Sequence, residues 1–254
     1  MSIIQKLYRG DDLRKSRLHD EKGNFTGWKN ILMHMPPAVI TGFMRLSFDY
    51  RPKQPWIAYS AIHSLNKFLK KEHRVLEYGS GMSTIWYAQK AGNVYSVEDY
   101  KPWYSKVNEI LVNKNIQNVH YKYAENPESY SSFMSDNDTG FDLIVVDGSY
   151  RSQCMMSAFF LIKPGGIIYL DNSDKDSTPS GGDMRLAESY ARNFAQEQGA
   201  DIKEFVDFAP TQFFVQQGLL IKMPENRTTD TGDRKKHLSS RARAPVPTGR
   251  ERIP

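Results

Sequence analysis

The chain has 254 residues and a mass of 29.2 kDa, and 39% of its residues are hydrophobic, so it can form one sizeable α/β domain with a buried core. A mean hydropathy of −0.59, with no apolar run close to the ~18 residues of a spanning helix, argues against a membrane span. The net charge is +5, but residues 225–254 hold eight Lys or Arg and four Asp or Glu, so the remaining chain is close to neutral. A nucleic-acid partner is therefore not expected.

The start of the chain and its cysteine content both favour a cytoplasmic location. The N-terminus has neither a long apolar segment nor a small-residue cleavage site, so we expect no secretory signal. Cys154 is the single cysteine, which excludes an intrachain disulfide and a cysteine zinc site.

Residues 1–50 are predicted to form an N-terminal extension of short helices and loops. Their apolar part is interrupted by Pro36, Pro37 and Gly42, which favours a short helix or two rather than one long helix. We expect residues 30–50 to pack on the domain as a lid over a pocket. Contact with a membrane surface is the alternative.

Residues 51–223 alternate apolar strands with helical patterns, which predicts a parallel sheet flanked by helices. The predicted strands are Arg74–Tyr78, Val94–Val97, Val119–Tyr123, Leu143–Val146, Ile167–Leu170 and a hairpin near Lys203–Asp207 and Gly218–Lys222. The predicted helices lie around 62–69, 84–90, 103–114, 153–162 and 184–198. The fold class is therefore α/β: a Rossmann-like, doubly wound, mostly parallel seven-stranded sheet with an antiparallel edge hairpin. Residues 224–254 are polar and proline-bearing, which predicts a disordered basic tail.

The turn after the first strand carries the main functional signal. Its sequence is "VLEYGSGMST", with Glu77 at the strand end and Gly79 and Gly81 in the turn. Such glycines let a ligand approach the backbone where the next helix begins. A dinucleotide fingerprint needs a third glycine where Thr84 stands, and a carboxylate favours a ligand ammonium over a pyrophosphate. Glu77 acting only as a helix cap or ion-pair partner is the structural alternative.

The second strand ends in "YSVEDY", which places Glu98 at its tip, 21 residues after Glu77. An acidic group there can accept both hydroxyls of an adenosine ribose. S-adenosylmethionine carries an amine at one end and an adenosine ribose at the other, so it is the ligand that fits this pair of acidic residues. Two alternatives remain. Glu98 could be a solvated strand end, and the aromatic side chains nearby could pack against the domain instead of stacking on an adenine.

In these motifs, residues 51–223 resemble the class I S-adenosylmethionine-dependent methyltransferases. "VLEYGSGMS" is similar to their first motif, "YSVEDY" to their second, "FDLIVVDG" to their fourth strand and "LIKPGGIIYLDN" to the turn into their fifth. Ser83 departs from the third glycine of many members, and Ser83 or Thr84 could cap the helix instead. The resemblance implies a cofactor-binding set of Glu77, Gly79, Ser80, Gly81, Ser83, Thr84, Glu98, Asp99, Glu125 and Asp147.

Two neighbouring strand ends carry the residues expected to do chemistry. Asp147 follows the fourth strand, and Asp171 and Asn172 follow the fifth. Their oxygens suit a hard cation such as Mg²⁺, and the triplet resembles the metal site of cation-dependent catechol-type O-methyltransferases. The lysine base of those enzymes is missing, however, and "DGSYR" resembles an Asp-Gly-x-x-Arg group in which Asp147 orients the substrate or sulfonium without metal. The structural alternative is that Asp171 and Asn172 form a turn in which their side chains hydrogen-bond to the nearby backbone.

The predicted catalytic residues are Asp147, Tyr150 and Asp171, with His34 as a more remote candidate base. Arg151 is interpreted either as an ion-pair partner or as a substrate clamp. Residues 174–183 are rich in Gly, Ser and Asp, which predicts a substrate loop.

The expected activity is methyl transfer from S-adenosylmethionine to a small-molecule or glycan-type acceptor at oxygen, with Mg²⁺ as an optional second cofactor. The rival hypotheses are an NAD(P)-dependent oxidoreductase and a cofactor-binding scaffold without turnover. The acceptor depends on loops and on the N-terminal segment, and no pattern in the sequence sets the oligomeric state.

Overall fold

The computed structural model describes residues 13–175 and 181–226, which form a single mixed sheet with helices on both faces. The strands are β1 (Arg74–Tyr78), β2 (Asn93–Glu98), β3 (Val119–Tyr123), β4 (Phe141–Val146), β5 (Ile162–Leu170), β6 (Asp201–Phe208) and β7 (Val215–Lys222). The helices are α1 (Trp28–Phe48), α2 (Tyr59–Phe68), α3 (Met82–Lys90), α4 (Lys101–Asn113), α5 (Pro127–Ser131), α6 (Arg151–Leu161) and α7 (Gly181–Gln198). The predicted tail beyond residue 226 and residues 176–180 of the predicted substrate loop lie outside the described residues.

The strand order is β3-β2-β1-β4-β5-β7-β6, and this confirms the predicted fold class. The first five strands are parallel, while β7 is antiparallel to both β5 and β6. The chain reaches one edge of the sheet with β3 and then returns to place β4 beside β1. The strand order therefore reverses between β1 and β4, and ligands of open α/β sheets bind beyond the carboxyl ends of the strands at such a point.

Successive residues of the central strands point to opposite faces, and both faces are covered. On one face, Leu76 and Tyr78 of β1 pack with α6 and α7. On the other face, Val75 packs with α2 and α3. Burial on both sides explains why β1 and β4 are continuous apolar runs, and it holds their carboxyl ends in place.

One predicted turn proved to be a bulge inside a strand. The "KPGG" segment lies within β5, where Phe141 of β4 pairs with Ile162 but Leu143 already pairs with Ile167. The extra residues are accommodated by Gly165, whose φ of 68° is unfavourable for other residues. The short α5 was not predicted; it is capped by Asn126, whose side chain accepts a hydrogen bond from the Ser129 amide.

The N-terminal prediction of short, interrupted helices is wrong, because α1 is one helix of 21 residues. Pro36 and Pro37 lie inside it and each removes one backbone donor. The carbonyls that lose their partners belong to Leu32 and Met33, which are exposed, so water can satisfy them. Within the described ranges, no helix is both long enough and apolar enough to cross a membrane.

Helix α1 is anchored to β6 and α2 by packing and by one buried carboxylate. Ala38 is fully buried, and Gly42 lies so close to the ring of Phe213 that a Cβ there would be 2.6 Å from it. Asp207 of β6 contacts His34 Nδ1 at 2.7 Å through Oδ2, which also accepts a hydrogen bond from the Ser60 amide at 3.0 Å. His34, the remote candidate base, therefore lies at a packing interface.

We expect Asp207→Ala to lower the free energy of unfolding by about 3 kcal/mol, because buried donors of α1 and α2 lose their acceptor. Chemical denaturation measures this change. Asp201→Ala, at an exposed position of the same strand, is the control and should leave the midpoint unchanged. Equal midpoints for the two variants would contradict this account of how α1 is held.

Candidate active site

An open cleft of about 430 Å³ lies beyond the carboxyl ends of β1, β2 and β4. This volume is within the usual range of cofactor and ligand sites. The lining residues are Gln54, Trp56, Gly79, Ser80, Gly81, Met82, Ser83, Glu98, Asp99, Trp103, Asp147, Gly148 and Ser149. None of these residues belongs to α1, so the N-terminal contribution to the cleft comes from the segment between α1 and α2.

The floor of the cleft is formed by two turns that touch through their backbones. Gly79 has a φ of 97°, and a Cβ there would lie 2.5 Å from the Cα of Gly148. A Cβ on Gly148 would in turn lie 2.7 Å from the Cα of Gly79. Gly81 is different: its φ of −179° suits any residue, and the nearest atom to a Cβ would be Ser83 Oγ at 3.5 Å. The first glycine therefore shapes the turn, while Gly81 leaves space beside the cleft.

Ser80, between these glycines, is held from three sides. Trp103 Nε1 donates a hydrogen bond to the Ser80 carbonyl at 2.8 Å. The Ser80 hydroxyl donates to Glu98 Oε2 at 2.8 Å and lies 2.6 Å from the Tyr121 hydroxyl. These contacts connect the turn after β1 to the end of β2.

Glu98 is a buried carboxyl group at the wall of the cleft, where the sequence predicted a ribose-binding acid. Its Oε1 accepts a hydrogen bond from the Tyr100 amide at 2.9 Å, and the residue is only 6% exposed. Burial raises the pKa of Glu98 to about 7, although the Tyr100 amide and Ser80 oppose this. Glu98 thus changes charge near neutral pH, and its ionised form is the better acceptor for ligand hydroxyls.

Glu77 lies under the start of α3 and is not among the residues that line the cleft. Its carboxylate accepts hydrogen bonds from the hydroxyls of Ser83 at 2.5 Å, Thr84 at 2.6 Å and Ser96 at 2.7 Å. The residue is 1% exposed, and burial outweighs these bonds and raises its pKa to about 7. This arrangement differs from the predicted contact with a ligand ammonium, because Glu77 points from β1 toward the first turn of α3, which it supports.

Asp147 and Asp171 form an interacting pair of carboxyl groups at the ends of the neighbouring strands β4 and β5. The Asp147 side chain lines the cleft and is 30% exposed, whereas Asp171 is buried beneath it. Tyr169 donates a hydrogen bond to Asp171 Oδ1 at 3.1 Å. Burial, followed by the charge of Asp147, holds the pKa of Asp171 well above its usual range.

Arg151 occupies the position among these oxygens that the predicted cation would need. Its Nη2 donates to Asp147 Oδ1 and to Asn172 Oδ1, both at 3.2 Å, and its Nη1 donates to the Asp171 carbonyl. Its Nε donates to the Gly148 carbonyl at 2.9 Å. Among the described residues there is also no group of three His, Cys, Asp or Glu side chains that could hold a metal ion. The oxygens of the predicted Mg²⁺ site therefore do not fit a divalent cation, because a guanidinium already satisfies two of them.

The remaining predicted residues divide between the cleft and its surroundings. Asp99 lines the cleft, whereas Glu125 is exposed outside it and Thr84 is buried beside Glu77. Tyr150, a predicted catalytic residue, packs its ring against Tyr130 with a centroid distance of 5.7 Å and does not line the cleft.

The sequence analysis missed several lining residues. These are Gln54, Trp56, Met82, Gly148 and Ser149. Trp56 had no local signal, because it precedes the first strand and reaches the cleft only after folding. Arg51 lies between the two tryptophans of the site, 5.9 Å from the ring of Trp56 and 5.3 Å from that of Trp103. The sequence signal for this part of the cleft is weak: it consists of aromatic residues such as Trp56 that precede the first strand and belong to no predicted element.

No protein-family model matches the chain, and no curated protein matches it either. Solved structures are similar to it in fold. The O-methyltransferase TomG from Streptomyces achromogenes, involved in tomaymycin synthesis and solved with S-adenosylmethionine, has a TM-score of 0.54 at 17% identity, over 74% of this chain and 89% of that chain. Cofactor-bound Rv0187 from MTB has a TM-score of 0.54 at 21% identity, over 75% of this chain and 98% of that chain.

An rRNA methylase from Streptococcus thermophilus is similar as well, with a TM-score of 0.50 at 10% identity, over 65% of this chain and 95% of that chain. At such identities the likeness concerns the fold. The chain has the Rossmann-like fold of the class I S-adenosylmethionine-dependent methyltransferases, as the sequence motifs predicted.

We expect Gly79→Ala to destabilise the protein by more than about 2 kcal/mol, because alanine is strained at this φ and its Cβ would overlap the backbone of Gly148. Gly81→Ala, two residues away at the helix N-cap, should lower the free energy of unfolding by no more than about 1 kcal/mol, because alanine is a poorer N-cap than glycine but would not overlap the backbone there. Thermal denaturation of both variants checks the contrast. A similar loss of stability in both would show that the backbone contact is not what the turn requires.

Proposed function

We propose that the protein is an S-adenosylmethionine-dependent methyltransferase that methylates an oxygen of a small-molecule or glycan-type acceptor. The observation that carries the proposal is that Glu98 and Asp147 line one cleft, at the ends of the two strands that flank β1 and its Gly79–Gly81 turn. The methyltransferase fold supports it. The missing third glycine of the dinucleotide fingerprint disfavours a nicotinamide cofactor.

The residues of the cleft suit the parts of this cofactor. S-adenosylmethionine, when bound, supplies a methyl group already activated on a sulfonium. Glu98 accepts the ribose hydroxyls, and the open side of Gly81 admits the methionine part next to the backbone. Asp99 and Trp103 lie on the adenine side. Glu77 acts as a positioning residue, since it supports the turn through Ser83 and Thr84 without lining the cleft.

Asp147 is the candidate general base. A hydroxyl acceptor must lose its proton as its oxygen attacks the methyl group, and Asp147 is the acidic side chain of the β4 end that faces the cleft. Burial raises the pKa of Asp147 above its usual value, which strengthens it as a base, while the charge of Arg151 opposes this rise. Asp171 and Arg151 orient the carboxylate from behind, so they are positioning residues.

The cleft and the charge of the domain support a compact, uncharged acceptor. Gln54 and Ser149 add neutral hydrogen-bonding groups to the lining. The chain without residues 225–254 is close to neutral, whereas binding to a nucleic-acid backbone depends on clustered Lys and Arg. RNA nevertheless belongs in the acceptor panel, because an rRNA methylase shares the fold.

Affinity for S-adenosylmethionine should increase about tenfold between pH 6 and pH 8, because Glu98 ionises around pH 7 and its carboxylate accepts the ribose hydroxyls. Isothermal titration calorimetry at several pH values measures this, with NAD as the competing ligand class. Glu98→Gln should bind weakly and without the pH dependence.

Glu77→Gln is the matched control, because the pKa of Glu77 is also raised to about 7 but its side chain does not line the cleft. This variant should keep the pH dependence. Loss of the dependence in Glu77→Gln but not in Glu98→Gln would assign the ligand-binding carboxylate to Glu77 instead. Binding of NAD in preference to S-adenosylmethionine would reject the proposed function.

Asp147→Asn should lower kcat by about 10²–10⁴-fold with little change in cofactor affinity, because the amide cannot accept the acceptor's proton. The assay measures methyl transfer to small phenols, sugars, carboxylic acids and RNA. Wild-type activity should be the same in EDTA as in Mg²⁺, since Arg151 already pairs with the oxygens of Asp147 and Asn172.

The control for Asp147→Asn is Asp142→Asn, at the start of β4 and far from the cleft, which should retain wild-type kcat. Full activity of Asp147→Asn would exclude Asp147 as the base. An activity that requires Mg²⁺ would contradict the role given to Arg151. An acceptor preference for RNA would overturn the proposed acceptor class while leaving the cofactor assignment intact.

A further inference from the structure

The outward face of α1 is an apolar surface that no described residue covers. The large apolar side chains on this helix that are 36–78% exposed are Trp28, Leu32, Met33, Met35, Val39, Ile40, Phe43, Leu46 and Phe48. They present on the order of 1,000 Å² of apolar area, whereas the largest apolar patch of a monomer is typically a few hundred Å². Exposed residues of other types on the helix are limited to Lys29, Pro36 and Ser47. We name these apolar residues the α1 outer face.

The outer face is a regular stripe along the whole helix. Its members at positions 28, 32, 35, 39, 43 and 46 are three or four residues apart, which aligns them on one side of the helix. Ala38 and Gly42 lie on a neighbouring side of the helix and are buried against the domain. Helix α1 is therefore apolar on two sides, and packing within the described chain uses only one of them.

We propose that the α1 outer face is the interface of a homodimer, in which α1 packs antiparallel against α1 of a second copy. An isologous interface must match its own surface after a two-fold rotation. A two-fold axis near the middle of α1 brings Leu32 opposite Phe43 of the second copy, because these residues lie on the same side of the helix. Val39 lies close to the axis.

The area of the α1 outer face is large enough for a homodimer interface. A stable protein–protein interface buries about 800 Å² on each partner. The outer face supplies roughly that amount from apolar side chains alone, which corresponds to the more hydrophobic interfaces of homodimers.

A second copy fits this face better than a membrane surface does. Helices that lie in a membrane interface carry Lys and Arg along their polar flank. The basic residues of α1 are Lys29 and Arg45, and the Arg45 guanidinium lies over the ring of Trp56 at 4.8 Å. The polar side chains of Asn30 and Thr41 bond to backbone carbonyls instead. The helix thus has no basic flank for lipid headgroups.

Sedimentation equilibrium of the full chain tests the proposal, and we expect a mass twice the 29.2 kDa of the chain at micromolar concentration. Leu32→Glu and Phe43→Glu should each weaken the dimer at least 100-fold. The matched control is Val112→Glu, which places the same charge at a 69% exposed apolar position of α4 and should leave the dimer intact. Circular dichroism and S-adenosylmethionine binding identify variants that fail to fold.

Cysteine cross-linking tests the orientation. Val39→Cys should form an intermolecular disulfide because the residue lies near the two-fold axis, whereas Trp28→Cys should not, because its two copies lie at opposite ends of the helix pair. The native Cys154 is buried and does not compete. Equal cross-linking of both variants would overturn the antiparallel pairing. A monomeric wild-type protein, or one that is monomeric and sediments with anionic vesicles, would overturn the dimer itself.

Discussion

The close backbone contact between Gly79 and Gly148 is the constraint on which the candidate site depends. It joins the turn after β1 to the turn after β4 at the point where the strand order reverses. With no side chain between them, the turns can approach until their Cα atoms nearly touch, and the cleft opens above them. Glu98 and Asp147 both line this cleft, at the ends of the strands on either side of β1.

The acidic residues around the cleft differ in burial, and their proposed roles differ accordingly. Glu98 and Glu77 both have a pKa raised to about 7, yet one lines the cleft and the other is enclosed by three hydroxyl groups under α3. Burial and the charge of Asp147 raise the pKa of Asp171, and Arg151 pairs with Asp147. A buried carboxylate is costly unless it is bonded, and each of these groups has hydrogen-bond partners. Glu98 and Asp147 also line the cleft, where they can accept bonds from a ligand.

Helix α1 shows how far local rules can mislead. Two adjacent prolines should end a helix, but α1 continues through them because its inner side is held by Ala38, Gly42 and the His34–Asp207 contact, while the freed carbonyls face water. The same packing leaves a second apolar side exposed. The extension expected to act as a lid therefore presents a surface suited to another copy of the chain, and the segment after it, with Gln54 and Trp56, reaches the cleft.

The sequence by itself determined the sheet and the place of the site. Alternation of buried strands with helices set the fold class, β1 and β3 were predicted to the residue, and the order of motifs placed Gly79, Gly81, Glu98 and Asp147 at adjacent strand ends. These features depend on residues near one another in the chain. Only the tertiary structure decided that Glu77 supports a helix and that Tyr150 packs on Tyr130. It also showed Arg151 among the oxygens of a predicted metal site. Those outcomes depend on which groups from distant segments meet, and on the burial that results, and neither is encoded in local spacing.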